Sequence, residues 1–590
     1  MRRKIAVLLV PLLGLLTVDA AFAAKKAANA PLLKLFETAW QEDLADDPIA
    51  ASAIGDHHYD DKLTDMSPEA LAKRNQRAYM RLAALRKINR EKLDKPDQLN
   101  YDLFERDIKN RIDEAQFKPY SYAPRTFDGP QLLPQLTEIL PFQTVKDYDN
   151  WLARINGTGI YIDQWIALLG QSALERRTQP RVTIAKVLEQ IKPQLVSDPE
   201  ASPFYAPFKK FPAGVDAANQ ARLTAAAKLA VQTVAVPAFQ RFDKFFREVY
   251  LPASRDTVGV SDTPDGDLYY KNRVKYYTTI DNMTATQIHN LGLAEVKRIR
   301  TEMEKALEPI NFLGTVDQFL NELRVNPRFY YKTSEELFAA YEKTARGIEP
   351  ELPKLFGRLP KTTFDIKPIP AASAPTTTTA YYQPPSLDGA RKGTFYVNLY
   401  KPETRPMWEV DALTAHEAVP GHHLQVALAY ELQGLPEFRR NADYTAFIEG
   451  WALYSEGLGY ELGLYKDDFA KFGQLNYDMW RAVRLVVDTG MHQFHWTREQ
   501  AIYYFRQNTG KNLQDIENEV DRYISWPGQA LAYKLGQLRI QALRAEAEKA
   551  LGARFDIRAF HDQLLGMGPL PLSVLDVQMR EWIAAQSARR

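Results

Sequence analysis

The stretch Thr414–Gln425, TAHEAVPGHHLQ, constrains this chain most, because it opens as a helix that Pro420 and Gly421 stop from continuing. His416 and Glu417 match the start of H-E-x-x-H, in which two histidines one turn apart face a metal. Four residues beyond His416, however, stands Pro420, and the next histidines are His422 and His423. Zinc–nitrogen bonds of about 2.0–2.1 Å require two ligand nitrogens within roughly 3–4 Å of each other. On a straight helix, position i+6 lies about 120° off the His416 face, and i+7 returns to it about 10 Å further along. Neither histidine fits. Proline removes a helical hydrogen bond and clashes with the preceding turn, while glycine permits unusual backbone angles. The pair predicts a broken helix that swings His422 or His423 back towards His416.

The chain has nine histidines, and five of them fall between His416 and His495. Such crowding suits a zinc site, which takes neutral imidazole and carboxylate. A third ligand is expected on a following helix. Glu449 sits among Phe447, Ile448, Trp451 and Leu453, where an ionised carboxylate is costly unless paired or bound to metal. Glu456 lies two turns on, on the same face, and competes with it; its ordinary reading is a salt bridge to an arginine. His492 follows a helical run and a glycine, at a point where the chain would approach a pocket. His57 and His58, in GDHHYDD, read as a solvated loop.

Elsewhere the punctuation is helical. Ser67-Pro68-Glu69 is an N-cap and first-turn signal, and apolar residues recur at three- and four-residue spacing to Leu93. Thr284–Leu307, Thr333–Leu352, Leu413–Leu432, Asp443–Leu462 and Ser525–Leu551 read the same way. The clearest strand is Gly393–Tyr400, GTFYVNLY, and the Pro/Thr/Ala-rich stretch before it, Ile369–Lys392, is expected to be a long surface loop. The expected fold is mainly α, with a helical N-terminal lobe over residues 24–265 and a catalytic lobe over 266–590.

The N-terminus carries Arg2, Arg3 and Lys4, an apolar run from Ile5 to about Val18, and Ala21-Phe22-Ala23. This is the pattern of a cleavable signal peptide over residues 1–23, and the apolar run is short of the roughly 20 residues a membrane span needs. With no cysteine the chain has no site for a lipid anchor, no disulfide and no thiol ligand. Its 75 basic and 74 acidic residues nearly cancel, without long runs of either sign, which argues against nucleic acid or an anionic membrane as partner. A periplasmic or secreted protein without a membrane span in its mature chain is expected.

His416-Glu417, Pro420-Gly421-His422 and Gln425, then EGWALY (Glu449–Tyr454), RLVVDTGMH (Arg484–His492) and RYISWPGQALAYKLG (Arg522–Gly536), resemble the bacterial "domain of unknown function 885" family over most of the mature chain. The resemblance implies a gluzincin-like zinc metallopeptidase with a large helical zincin-like fold and a small β-sheet beside the cleft. It is similar in outline to angiotensin-converting enzyme, thimet oligopeptidase and carboxypeptidase Taq. Carried over residue by residue, it implies zinc on His416, His422 and Glu449, with Glu417 as general base on a zinc-bound water. It departs from those peptidases in the two extra residues inside the H-E-x-x-H interval. It further implies that His492 and Tyr533, with Tyr523 as a second tyrosine, stabilise the oxyanion or grip a short peptide. Arg484 and Arg539 are candidates for a substrate carboxylate, and Asn398 would face substrate if GTFYVNLY were an edge strand.

Competing readings are a zinc amidase on cell-wall or non-peptide amides, and a non-enzymatic periplasmic binding protein with a structural metal. Glu417 separates them, because a structural site needs no carboxylate beside its first ligand.

Overall fold

The computed structural model describes residues 15–588 apart from 372, 373, 377 and 388. The leader expected over residues 1–23 thus lies outside the described residues over 1–14. The fold is mainly α with one small sheet. Helix α1 spans Leu15–Asp46, α2 Val145–Leu174 and α3 Ala285–Ala306. Helices α4 (Val410–Glu417), α5 (His422–Glu431), α6 (Thr445–Leu458), α7 (Asp468–Gln493), α8 (Leu513–Ser525) and α9 (Leu531–Leu551) carry the chemistry-bearing residues. Among the described residues no helix is long and apolar enough to cross a membrane.

Local rules account for many boundaries. Thr284 and Gln287 exchange hydrogen bonds as a reciprocal cap on α3, satisfying amides the helix leaves open. The Ser525–Leu551 segment is helical only from Leu531, because Trp526, Pro527 and Gly528 form the turn between α8 and α9, with Gly528 at φ +81°. One apolar core packs α2 residues Trp151, Ile155, Ile162 and Leu169 against Phe204, Phe239 and Phe242. A second, larger core gathers residues of the C-terminal half, including Trp451, Val483 and Val486. Gln179 joins the two parts by donating to the carbonyls of Tyr122 and Ser525.

The sheet has the order β1-β3-β2, with β1 at Phe364–Pro368, β2 at Ala380–Gln383 and β3 at Gly393–Val397. Strand β3 pairs in parallel with β1 and antiparallel with β2. Two expectations are corrected here. GTFYVNLY supplies the central strand, not an edge; Asn398 lies just past it, buried, and donates to the carbonyls of Ala374 and Thr378 instead of facing substrate. The expected loop Ile369–Lys392 contains β2, whose Tyr381 and Tyr382 have the aromatic character that suits a strand.

From Asn476 to His492 every residue of α7 is buried. A helix surrounded on all sides must pair its polar groups internally, and Arg481, Arg484, Asp488 and His492 all lie in this segment. Helices α6 and α9 meet at two glycines. A Cβ on Gly450 would lie 2.4 Å from Gly536 Cα, so only glycine permits this crossing, which sets Glu449 and Tyr533 near one another.

Candidate metal centre

Helix α4 ends at Glu417, residues 418–421 form a turn, and α5 restarts at His422. Gly421 makes that turn possible: a Cβ there would lie 1.8 Å from the carbonyl oxygen of His416. Helix α6 holds the turn from the side, since Trp451 Nε1–H donates to the Pro420 carbonyl at 2.8 Å and Ser455 Oγ at 3.3 Å. The break folds the second helix back on the first. The rings of His416 and His422 come to 4.9 Å between centroids, at 88° to each other.

Glu449 completes a cluster in which one ligand atom from each residue lies within 4.8 Å of the others. Its Oε2 stands 3.5 Å from His416 Nε2 and 3.4 Å from His422 Nε2. Tetrahedral zinc with bonds of about 2.0–2.1 Å separates its ligands by roughly 3.3–3.4 Å. Among the described residues Glu449 Oε2 is buried without a hydrogen bond. A buried carboxylate oxygen left bare between two imidazole nitrogens is a donor set that suits a divalent cation. The side chains of His416, His422 and Glu449 are 4%, 12% and 17% exposed, so the cluster is reached from the His422–Glu449 side.

His423 points elsewhere. Its Nδ1 pairs with the Tyr382 hydroxyl at 2.9 Å and its Nε2 with the Thr362 carbonyl at 3.0 Å, which ties α5 to the sheet. Burial holds this imidazole neutral, its pKa lowered to about 4. Gly393 leaves the room, since a Cβ there would meet the Tyr382 hydroxyl at 2.4 Å.

Glu456 is no competing ligand. Its Oε1 accepts from His416 Nδ1 at 2.8 Å and pairs with Arg481 at 3.1 Å, all three side chains being almost wholly buried. The interaction turns Nε2 of His416 towards Glu449, the arrangement by which a carboxylate orients a metal-binding histidine. The available signal was its seven-residue spacing from Glu449, two turns on one face. Arg481, the counter-charge, had no signal in the sequence that set it apart from other arginines. Burial by itself would depress the His416 pKa, but Glu449 and Glu456 outweigh it and raise it to about 9. Burial likewise opposes ionisation of Glu449, yet His422 and His416 hold its carboxyl well below the ordinary range. Glu417 differs: desolvation dominates and raises its pKa, against the pull of the two histidines.

Tyr533 joins the site. Its ring lies nearly parallel to that of His416, 6.5 Å away at 14°, and its hydroxyl accepts from Arg522 Nη2 at 2.9 Å. His492, expected among the catalytic groups, does not serve there. It is fully buried, with Nδ1 accepting from the Val260 amide and Nε2 donating to the Tyr523 carbonyl, each at 3.0 Å. Both nitrogens are engaged by backbone, and burial lowers its pKa to about 3, so it locks α7 to α8 and to the segment around Val260. Tyr523 is likewise engaged, accepting from Trp480 Nε1 and Arg484 Nε. Arg539 pairs with Asp576 at 3.1 Å. His57 and His58 pair with Asp60 and Asp56 in their loop.

Residues 48–579 match the model of a family described as "Bacterial protein of unknown function (DUF885)". No curated protein matches the chain. A solved structure from Colwellia psychrerythraea, described as a "putative lipoprotein", is 29% identical, with a TM-score of 0.89 over 95% of this chain and 99% of that one. A second from Shewanella oneidensis, described as a "putative lipoprotein of unknown function", shares the fold at 17% identity and a TM-score of 0.61, over 93% and 99% of the respective chains.

Proposed function

This chain belongs to the DUF885 family, and we propose that it is an exported zinc-dependent peptidase acting on short peptides. The observation that supports the reading is Glu449 Oε2, a buried acceptor without a hydrogen bond among the described residues, faced by two imidazole Nε2 atoms at 3.4 and 3.5 Å. His416, His422 and Glu449 would hold the ion. When bound, zinc supplies Lewis acidity to a carbonyl oxygen and to water.

The chain's own groups do the rest. Glu417, adjacent in sequence to His416 and desolvated, is suited to take a proton from the attacking water and return it to the departing amine nitrogen. A carboxylate whose pKa is raised by desolvation is a stronger base than an ordinary carboxylate, which suits it to take the water's proton. Tyr533 accepts hydrogen bonds from Arg522 and Gln529, which leaves its own O–H to donate towards a substrate oxygen. Glu456 and Arg481 keep His416 in its orientation.

Access supports small, unfolded substrates. His416 is 3% exposed, and Asp443, just before α6, is exposed to solvent yet has its carboxyl raised by desolvation and by Glu449. A group that is wet but surrounded lines a recess, and a recess admits a flexible peptide more readily than a folded surface. Export rests on the leader pattern of residues 1–23 and on the descriptions of the two neighbours as "putative lipoprotein". Because this chain has no cysteine, the proposal is release into the periplasm or medium without a thioether-linked lipid.

The test is Glu417→Gln. It should retain zinc and fold while peptide hydrolysis drops by about 10²–10⁴-fold. Wild-type cleavage by that variant, or wild-type cleavage in the presence of chelator, would remove the mechanism.

A further inference from the structure

Arg484 and Arg522 flank Tyr533, two cations beside one ring. The Arg484 guanidinium lies 4.0 Å over the Tyr533 ring, and Arg522 Nη2 donates to its hydroxyl at 2.9 Å. Among the described residues one carboxylate, Glu519, pairs with both cations, 3.0 Å from Arg484 Nη2 and 3.7 Å from Arg522 Nη1, and Arg522 Nη2 also donates to Gln529 Oε1 at 3.0 Å. Arg484 also donates from Nε to Tyr523, but among the described residues its Nη1 is buried without a partner. Two guanidinium groups therefore share one carboxylate, Arg484 buried and Arg522 partly open to solvent. Glu449 Oε2 faces His416 and His422 instead, at 3.5 and 3.4 Å.

A buried positive charge without its counter-ion is costly, and a planar guanidinium fork matches a carboxylate in two parallel hydrogen bonds. We propose that Arg522, with Arg484 behind it, holds a carboxylate of the peptide substrate; this rests on the peptidase reading above. Arg522 is the contact group, because its side chain is 25% exposed while that of Arg484 is 3% exposed. Arg484 adds field from beneath Tyr533. Because Arg522 Nη2 lies 2.9 Å from the Tyr533 hydroxyl, a carboxylate held by Arg522 would sit beside a carbonyl oxygen that takes the Tyr533 hydrogen. A terminal carboxylate in this place makes the last peptide bond the one that is cut. An acidic side chain next to that bond offers the same chemistry.

Calorimetry on the zinc-loaded Glu417→Gln chain tests this without turnover. The probes are tetra-alanine as free acid, tetra-alanine amide, and the amide with glutamate in last place. The free acid should bind at least about tenfold more tightly than the plain amide, the loss expected on removing a charged hydrogen-bond partner. Tight binding of the glutamate amide instead assigns the carboxylate to a side chain. In either case Arg522→Gln should abolish the preference with metal content and helical circular dichroism unchanged, and Arg522→Lys should restore part of it. Equal binding of all three probes, or a preference that survives Arg522→Gln, overturns the subsite. Hydrolysis of all three at equal rates by the wild type would remove the subsite alone, whereas a chain that neither binds nor cuts any of them loses the peptidase reading too.

Discussion

Glu456 Oε1 lies 2.8 Å from Nδ1 of His416, and the same oxygen meets Arg481 at 3.1 Å. Helix α6 thus does two things for the cluster: it sets Glu449 Oε2 against the two imidazoles, and its Glu456 decides which nitrogen of His416 faces that oxygen. Glu456→Gln keeps the shape but removes the charge that stabilises the Nδ1–H bond. Zinc affinity is expected to fall about 10–100-fold, as is usual when a histidine's orienting partner is lost. Competition with a chromophoric chelator measures it. Unchanged affinity would mean that Glu456 serves Arg481 only.

His422 and His423 separate by what each would lose. His422→Ala should lose stoichiometric zinc and keep its fold. His423→Ala should keep zinc but strand the Tyr382 hydroxyl and the Thr362 carbonyl, a cost of roughly 1–3 kcal/mol in unfolding free energy. Metal analysis beside urea denaturation of both variants decides. The reverse pattern would place the second ligand on His423.

Gly421→Ala tests the broken helix. The added methyl would lie 1.8 Å from the His416 carbonyl, and backbone cannot yield as a flexible side chain can. A loss of about 1–3 kcal/mol or more is expected, together with weaker zinc binding, because the turn that aligns His422 must open. A variant that binds zinc as tightly as the wild type would show that the alignment does not depend on that close approach.

Acid stability carries the signature of His492. Burial lowers its folded pKa to about 3, while an unfolded histidine titrates near 6.5. Between those values unfolding takes up a proton that the folded chain refuses, so this group's contribution falls as pH drops from about 6.5, by ~1.4 kcal/mol per pH unit. Asp488 acts in the opposite sense, its pKa raised to about 7 by burial, so the overall profile mixes both. Comparison with His492→Gln isolates one term. From pH 6.5 to 4.5 the wild type should lose roughly 2–3 kcal/mol more than the variant in urea titrations. Parallel profiles would show that His492 is not held neutral.

Much of the helical layout was readable before any tertiary contact. Thr284 and Gln287 cap a helix whose apolar spacing already defined it, because capping and periodicity are interactions between residues close in the chain. Residues 380–383 were harder, since their strand character lies inside a proline-rich stretch and becomes a strand only by pairing with β3. His492 misled for a related reason. A glycine before a histidine suggests approach to a pocket, but whether its nitrogens are free depends on the Val260 amide and the Tyr523 carbonyl, both distant in sequence.

By itself the sequence determined that the helix carrying His416 must break before His422, because proline lacks the amide a continuous helix requires and glycine, without a Cβ, permits the turn. It also determined that Glu449, among apolar neighbours, needed a partner. Tertiary structure alone decided that His422 and not His423 shares the centre with His416, and that Glu456 orients rather than competes. Those outcomes rest on distances of about 3 Å between side chains tens of residues apart, set by the packing of α6 on the turn at Pro420 and by the sheet that claims His423. Local spacing fixes which face a residue occupies; only packing brings two faces within reach of one another.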